Sequence, residues 1–203
     1  MIGVLVEIFF KALAALILTV IGSLWIDRLY RSCDELTFPE KIFDRAKFRR
    51  PILFCALTIF FAMTDDLFLS AAIFLLVLMT ATDFEQYMLF DAMTISLAAI
   101  GAARIFFCGL NVVDYLAASI IGGGIFLLVA ILSRGGLGGG DVKLVAALGL
   151  WLGEKLLSVV LLATVAGGAV ALLMILLDKK NRGSYFAYGP YFAIAAIHAL
   201  LTT

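Results

Sequence analysis

The sequence predicts an all-α fold, a polytopic membrane bundle of about eight helices, some of them short. Three observations carry that prediction. Of the 203 residues, 64% are hydrophobic, well above the roughly 45–50% of soluble domains. Only 15% are charged, where a soluble protein has about 25%. Mean hydropathy is +1.13, and the charges cluster, so long uncharged runs separate them. A globule of this size cannot hide so much apolar surface, and part of it must face lipid. The length suits one membrane-embedded unit over 1–203.

A spanning helix needs about 20 apolar residues. The candidate runs are 2–25, 51–64, 67–82, 91–109, 113–132, 141–153, 155–177 and 186–202. Runs 51–64, 67–82 and 141–153 are short for full spans, which suits tilt or shelter by neighbouring helices. The first run lacks a basic start and a clear small-residue cleavage site, so it reads as a retained first helix rather than a signal peptide.

Lys and Arg placement sets an expected orientation. With the N-terminus outside and all eight runs crossing, 12 of the 15 basic residues fall inside. These are Arg28, Arg31, Lys41, Arg45, Lys47, Arg49, Arg50, Arg134, Lys143, Lys179, Lys180 and Arg182. Only Lys11, Arg104 and Lys155 stay outside, beside the acids Asp65, Asp66, Asp114 and Glu154.

The longest polar stretch, 26–50, is net basic and is expected to be a cytoplasmic loop. It reads either as a segment pinning helix ends to anionic lipid or as a substrate-contact surface. A formal net charge of zero gives no sign of a nucleic-acid partner. Cys33, Cys55 and Cys108 are odd in number and scattered, offering neither a disulfide framework nor a metal site. His198, the single histidine, reads as a helix-end or packing residue. No cofactor is implied.

Two acids stand out. Asp83 ends the apolar run LSAAIFLLVLMTATD, and Asp141 opens DVKLVAALGLWLG after a glycine-rich stretch. In the topology above both lie at the inner membrane face. Ionisable groups at that position are costly and often functional. Two carboxylates brought together share a proton. The ionised one then activates water as a general base, and the protonated one polarises a carbonyl and protonates the leaving nitrogen. The plainer alternatives stay open: Asp141 as a helix N-cap, Asp83 as a solvated acid at a helix end. A small transporter using both acids as proton or ion sites is the competing functional class.

Around these acids, Gly138, Gly139 and Gly140 are expected to allow positive φ and close approach of a substrate strand. Lys143 reads as a snorkelling lipid anchor or a tuner of the pair's charge. Asp91 reads as a helix cap and Glu85 as solvated. Gly122–Gly124 and Gly167–Gly168 suit close helix packing.

At these residues the chain resembles a known family, the bacterial type IV prepilin peptidases of the GxGD group of intramembrane aspartyl proteases. Leu137-Gly-Gly-Gly-Asp-Val-Lys-Leu144, continuing to Gly153, is similar to that family's signature. Ala81-Thr-Asp-Phe-Glu-Gln-Tyr-Met-Leu-Phe-Asp91 is similar to its other block, with Phe90 in place of the usual proline. Tyr188-Gly-Pro-Tyr191 resembles the motif ahead of its last helix, and the three occur in the family's order.

The resemblance implies an aspartyl endopeptidase in the bacterial inner membrane. It implies Asp83 and Asp141 as catalytic residues at the cytoplasmic face. Gly138, Gly139, Gly140, Glu85 and Lys143, which neighbour the two acids in sequence, are expected to contact substrate. The implied partners are a prepilin or pseudopilin helix and the bilayer. Many members also N-methylate the mature pilin and carry a zinc-binding insert with four cysteines. In this chain the 26–50 stretch holds only Cys33, too few thiolates for such a site.

Overall fold

The computed structural model describes residues 2–134, 137–177 and 186–202. Gly135, Gly136, Lys179, Lys180 and Arg182, which entered the glycine and charge readings, lie outside the described residues. The described chain is helical, and it divides into two compact units, Met1–Met88 and Leu89–Thr203.

The first unit contains α1 (Ile2–Arg31), a 3₁₀ turn at Pro39–Lys41, α2 (Ile42–Ala46), α3 (Arg49–Ala62) and α4 (Leu67–Gln86). α1 packs on α3, α3 packs on α4, and α1 and α2 also touch α4. Ile26, Leu53, Leu57, Leu76 and Met79 are buried between them. The 26–50 stretch, expected as a loop, is largely helical: α1 runs on to Arg31, and a short turn and α2 precede α3. The apolar run 67–82 is likewise only part of its helix, because α4 continues to Gln86 and reaches 20 residues, enough for a span. Asp66 starts α4 as its N-cap, its carboxylate accepting from the backbone N–H groups of Phe68 at 2.7 Å and Leu69 at 3.2 Å. α4 ends where Tyr87 turns left-handed at φ 52°.

The second unit contains α5 (Asp91–Phe107), α6 (Val112–Leu132), α7 (Gly139–Leu152), a 3₁₀ turn at Gly153–Lys155, α8 (Leu156–Leu176) and α9 (Gly189–Leu201). α7 lies against α5, α6 and α9, and its apolar side chains Leu144, Val145, Leu148 and Trp151 are buried. Trp151 Nε1 donates to the Leu97 carbonyl at 2.9 Å, which satisfies the indole inside the bundle. The tightest crossing is at Gly149, where a β-carbon would overlap the backbone of Ser119 on α6. Ser119 Oγ closes the same crossing by donating to the Ala146 carbonyl at 2.7 Å. This meets the close-packing expectation for small residues, at a glycine outside the two clusters singled out from sequence. Gly122 and Gly123 do pack closely, on Leu156 and Ala146, and Gly167 faces the ring of Tyr188. Gly124 and Gly168 face open space.

Among the described residues, four stretches are long and apolar enough to cross a membrane: Gly3–Arg31, Leu67–Gln86, Val112–Leu132 and Gly139–Leu176. The last joins α7 and α8 through the 3₁₀ turn. α6 keeps almost none of its surface inside the fold, whereas half of the α4 window is buried. The chain is a multi-pass helical membrane protein, with exposed Leu, Ile, Val and Phe on α1, α6 and α8 for lipid.

Candidate active site

In the first unit, Asp83 sits in the last turns of α4 with 6% of its surface exposed. The solvated alternative for this residue is therefore wrong, because α4 extends past it and packs. Everything that follows Asp83 in this turn is fastened to earlier chain. The Phe84 carbonyl accepts from Arg45 Nη2 at 2.8 Å. Glu85 accepts from Arg49 Nε at 2.8 Å and Nη2 at 2.6 Å, and from the Tyr30 hydroxyl at 3.0 Å. The Gln86 side chain pairs with the Phe38 backbone, its Oε1 accepting at 2.8 Å and its Nε2 donating at 3.3 Å. The Tyr87 N–H returns to the Asp83 carbonyl at 2.9 Å.

Arg49 is the centre of this network. Its side chain is 2% exposed, and its Nη1 also pairs with Asp27 at 2.5 Å. The guanidinium thus meets two carboxylates from two helices in fork geometry. Its cost of desolvation is offset only while both acids are present. The expectation that Glu85 is solvated is corrected here: Glu85 is buried, because a cation 36 residues earlier in sequence neutralises it. Arg45 adds a second cationic contact, its guanidinium 4.3 Å from the Phe38 ring centre and 5.1 Å from that of Tyr87.

In the second unit, α7 begins two residues earlier than the acid. Gly138 is the N-cap, and Asp141 is the third helical residue, so the expectation of Asp141 as N-cap is corrected. The Asp141 carboxylate folds back beside Gly138, where a β-carbon would stand 3.3 Å from its Oδ2. The dipole at this helix end favours negative charge there. Asp141 is half-buried.

The glycines do not adopt the positive φ expected of them. Gly138 has φ −70°, and Gly139 and Gly140 are helical. Their use is space: a β-carbon at Gly140 would stand 3.0 Å from that of Leu89, whereas one at Gly139 would meet nothing. Lys143, read as a lipid anchor or a tuner of charge, makes an ion pair of its own. Its Nζ holds both carboxylate oxygens of Asp91, at 2.6 and 2.8 Å, tying α7 to the start of α5. Asp91 correspondingly is not a cap; Phe90 takes the N-cap position of α5 without a side-chain bond. His198 stands in the last turn of α9, exposed, as expected of a helix-end residue.

Sequence reading missed Tyr30, Phe38, Arg45 and Arg49. The only signal available was a pair of arginines, Arg49 and Arg50, directly before an apolar run. Among the described residues, no group of three or more His, Cys, Asp or Glu side chains gathers as a metal site.

The profile of the type IV leader peptidase family matches residues 69–172, about half of the chain. The chain belongs to that family. The matched part of this leader-peptidase-family chain contains both Asp83 and Asp141. Similar curated proteins are prepilin leader peptidase/N-methyltransferases. That of Stutzerimonas stutzeri is 37% identical over 91 residues, covering 44% of this chain and 30% of that protein. That of Aeromonas hydrophila is 45% identical over 67 residues, covering 32% and 23%. That of Legionella pneumophila is 29% identical over 144 residues, covering 66% and 49%. The chain thus spans between about a quarter and half of the length of these relatives. No solved structure matches it significantly. The family match starts after Tyr30, Phe38, Arg45 and Arg49, so the residues that fasten the Asp83 turn lie outside it.

Proposed function

We propose that this protein is an intramembrane aspartyl endopeptidase that removes the leader peptide of type IV prepilins or pseudopilins. Its catalytic pair is Asp83 and Asp141, working at the cytoplasmic face of the bacterial inner membrane. The observation that carries this reading is the family match over 69–172, which brackets two acids that are each withdrawn from water and held at a helix end.

The chemistry follows from pairing. Two carboxylates that share one proton act as base and acid together. Asp141, in the first turn of α7, where the helix dipole favours negative charge, suits the ionised role. It takes a proton from water as the oxygen attacks the scissile carbonyl. Asp83, withdrawn into the fold, suits the protonated role, donating to the carbonyl oxygen and later to the leaving nitrogen. Glu85 serves as a positioning residue, since its carboxylate is already engaged by Arg49 and Tyr30. The open side of Gly139 and the neighbouring Gly138 and Gly140 supply room for an extended substrate segment, with Lys143 beside it. The basic residues at the cytoplasmic ends support the inner-face assignment through the positive-inside bias.

The test is co-expression with a prepilin and mass spectrometry of the product. The native chain should yield the shortened pilin, and the same spectrum reads any added methyl group. Asp83→Asn and Asp141→Asn, each checked for folding, should each lose cleavage by about 10²–10⁴-fold. Cleavage surviving in either folded variant removes that residue from the pair.

A further inference from the structure

The first unit carries two adjoining concavities, one of them lined in part by the Tyr30, Asp27 and Arg49 network behind the Asp83 turn. This one, with a volume of about 710 Å³, has a wall of Arg31, Lys47, Arg50, Asp27 and Ser23 beside the apolar Ile42, Phe43 and Pro51. The other, about 610 Å³, runs along the outside of α3 from Phe48 through Ile52 and Ala56 to Phe60 and has a wholly apolar lining. Pro51 lines both, so the cationic cavity and the apolar groove adjoin near the start of α3.

The polar end is cationic. Arg31, Lys47 and Arg50 are exposed, and none has an acidic partner within 4.0 Å among the described residues. Asp27, the acid in this wall, is already paired with Arg49. Arg50 is held against the wall by Ser23, whose Oγ accepts from its Nε at 3.3 Å. Phe43 projects at the rim, 91% exposed, as an aromatic side chain does at a headgroup boundary. The cavity sits at the end of α1 that carries Arg28 and Arg31, where a span would leave the hydrocarbon.

The apolar end has the right length. The twelve residue steps from Phe48, the N-cap of α3, to Phe60 rise about 18 Å, and one leaflet of hydrocarbon is about 15 Å thick. We propose that these two concavities form one binding site for an anionic phospholipid, its phosphate among Arg31, Lys47 and Arg50 and one acyl chain along α3. A basic side chain near anionic lipid contributes about fivefold in affinity, so three give a preference on the order of a hundredfold over a lipid without net charge.

The test is native mass spectrometry of the purified full chain with phosphatidylglycerol or phosphatidylcholine carrying identical acyl chains. Phosphatidylglycerol should be retained with at least a tenfold preference that weakens with salt. The variant Arg31→Gln/Lys47→Gln/Arg50→Gln should lose the preference while holding phosphatidylcholine as before. Ala56→Trp, which fills the groove, should weaken both lipids. Equal retention of the two lipids by the native chain overturns the proposal, whatever the variants do. So does a preference that survives the triple substitution. Glycerol 3-phosphate displacing phosphatidylglycerol as well as the whole lipid does would assign the cavity to a free phosphate and overturn the lipid. If the triple variant does not fold, Lys47→Gln alone must reduce the preference about fivefold, and no reduction counts against the site.

Discussion

Arg49 grips Glu85 through Nε and Nη2, the shorter contact being 2.6 Å, and Glu85 stands two residues after Asp83 on the same helix. The grip sets the end of α4 and therefore the direction in which Asp83 leaves it. Because Arg49 is also paired with Asp27 of α1, the turn is referenced to two other helices at once.

Removing one partner strands a buried charge. Arg49→Met alone should destabilise the protein by about 3–5 kcal/mol. The double variant Arg49→Met/Glu85→Met should recover part of that loss, since the buried pair is replaced by apolar groups of similar volume and only the partly exposed Asp27 carboxylate is left to solvate. Thermal unfolding in detergent compares the two. A double variant no more stable than the single one contradicts a buried pair whose cost is desolvation.

The pair Lys143–Asp91 is the contrasting case. Both side chains are more than half exposed, at 55% and 60%, so water and salt screen them. Lys143→Ala should change the unfolding midpoint little, equivalent to about 1 kcal/mol or less. A loss as large as that of Arg49→Met would mean the pair is buried in the membrane-embedded protein.

Gly149 gives a steric prediction. A methyl there meets the Ser119 backbone, which cannot rotate away. Gly149→Ala should cost about 1–3 kcal/mol through overpacking. Gly124→Ala, on open surface, should be neutral or slightly stabilising, because alanine is the better helix former. Parallel melts of the two variants check the contrast.

The catalytic assignment makes a spatial prediction. In a background with Cys33, Cys55 and Cys108 changed to serine, Asp83→Cys/Asp141→Cys should form a disulfide in oxidised membranes. Such a bond needs Cα atoms within about 7 Å, and a longer bifunctional reagent reads the wider range that a bridging water allows. Absence of both products at full oxidation speaks against a shared proton.

Apolar runs between charge clusters were enough to locate eight helices near their observed places, since lipid-facing helices must be greasy along their length. Asp83 and Asp141 were legible as candidates because each sits in a segment similar to a family motif, at the same expected membrane face. What escaped was long-range pairing. Glu85 looked solvated because nothing within its own helix says that an arginine 36 residues away will cover it. Lys143 and Asp91 looked like two separate surface residues for the same reason, being 52 apart. The start of α7 was misplaced by two residues because glycines, weak helix formers, were read as loop, whereas here Gly139 and Gly140 form its first turn.

The fastening of the Asp83 turn to chain that precedes residue 69 has a practical corollary for anyone building chimeras. A graft of residues 69–172 onto another relative's amino-terminal helices would carry Glu85 and Gln86 but leave behind Tyr30, Phe38, Arg45 and Arg49. Such a hybrid keeps every matched residue and both aspartates, yet loses the anchorage that aims one of them. Transplants in this family should therefore be cut upstream of α1, or should bring a matching arginine with the acceptor.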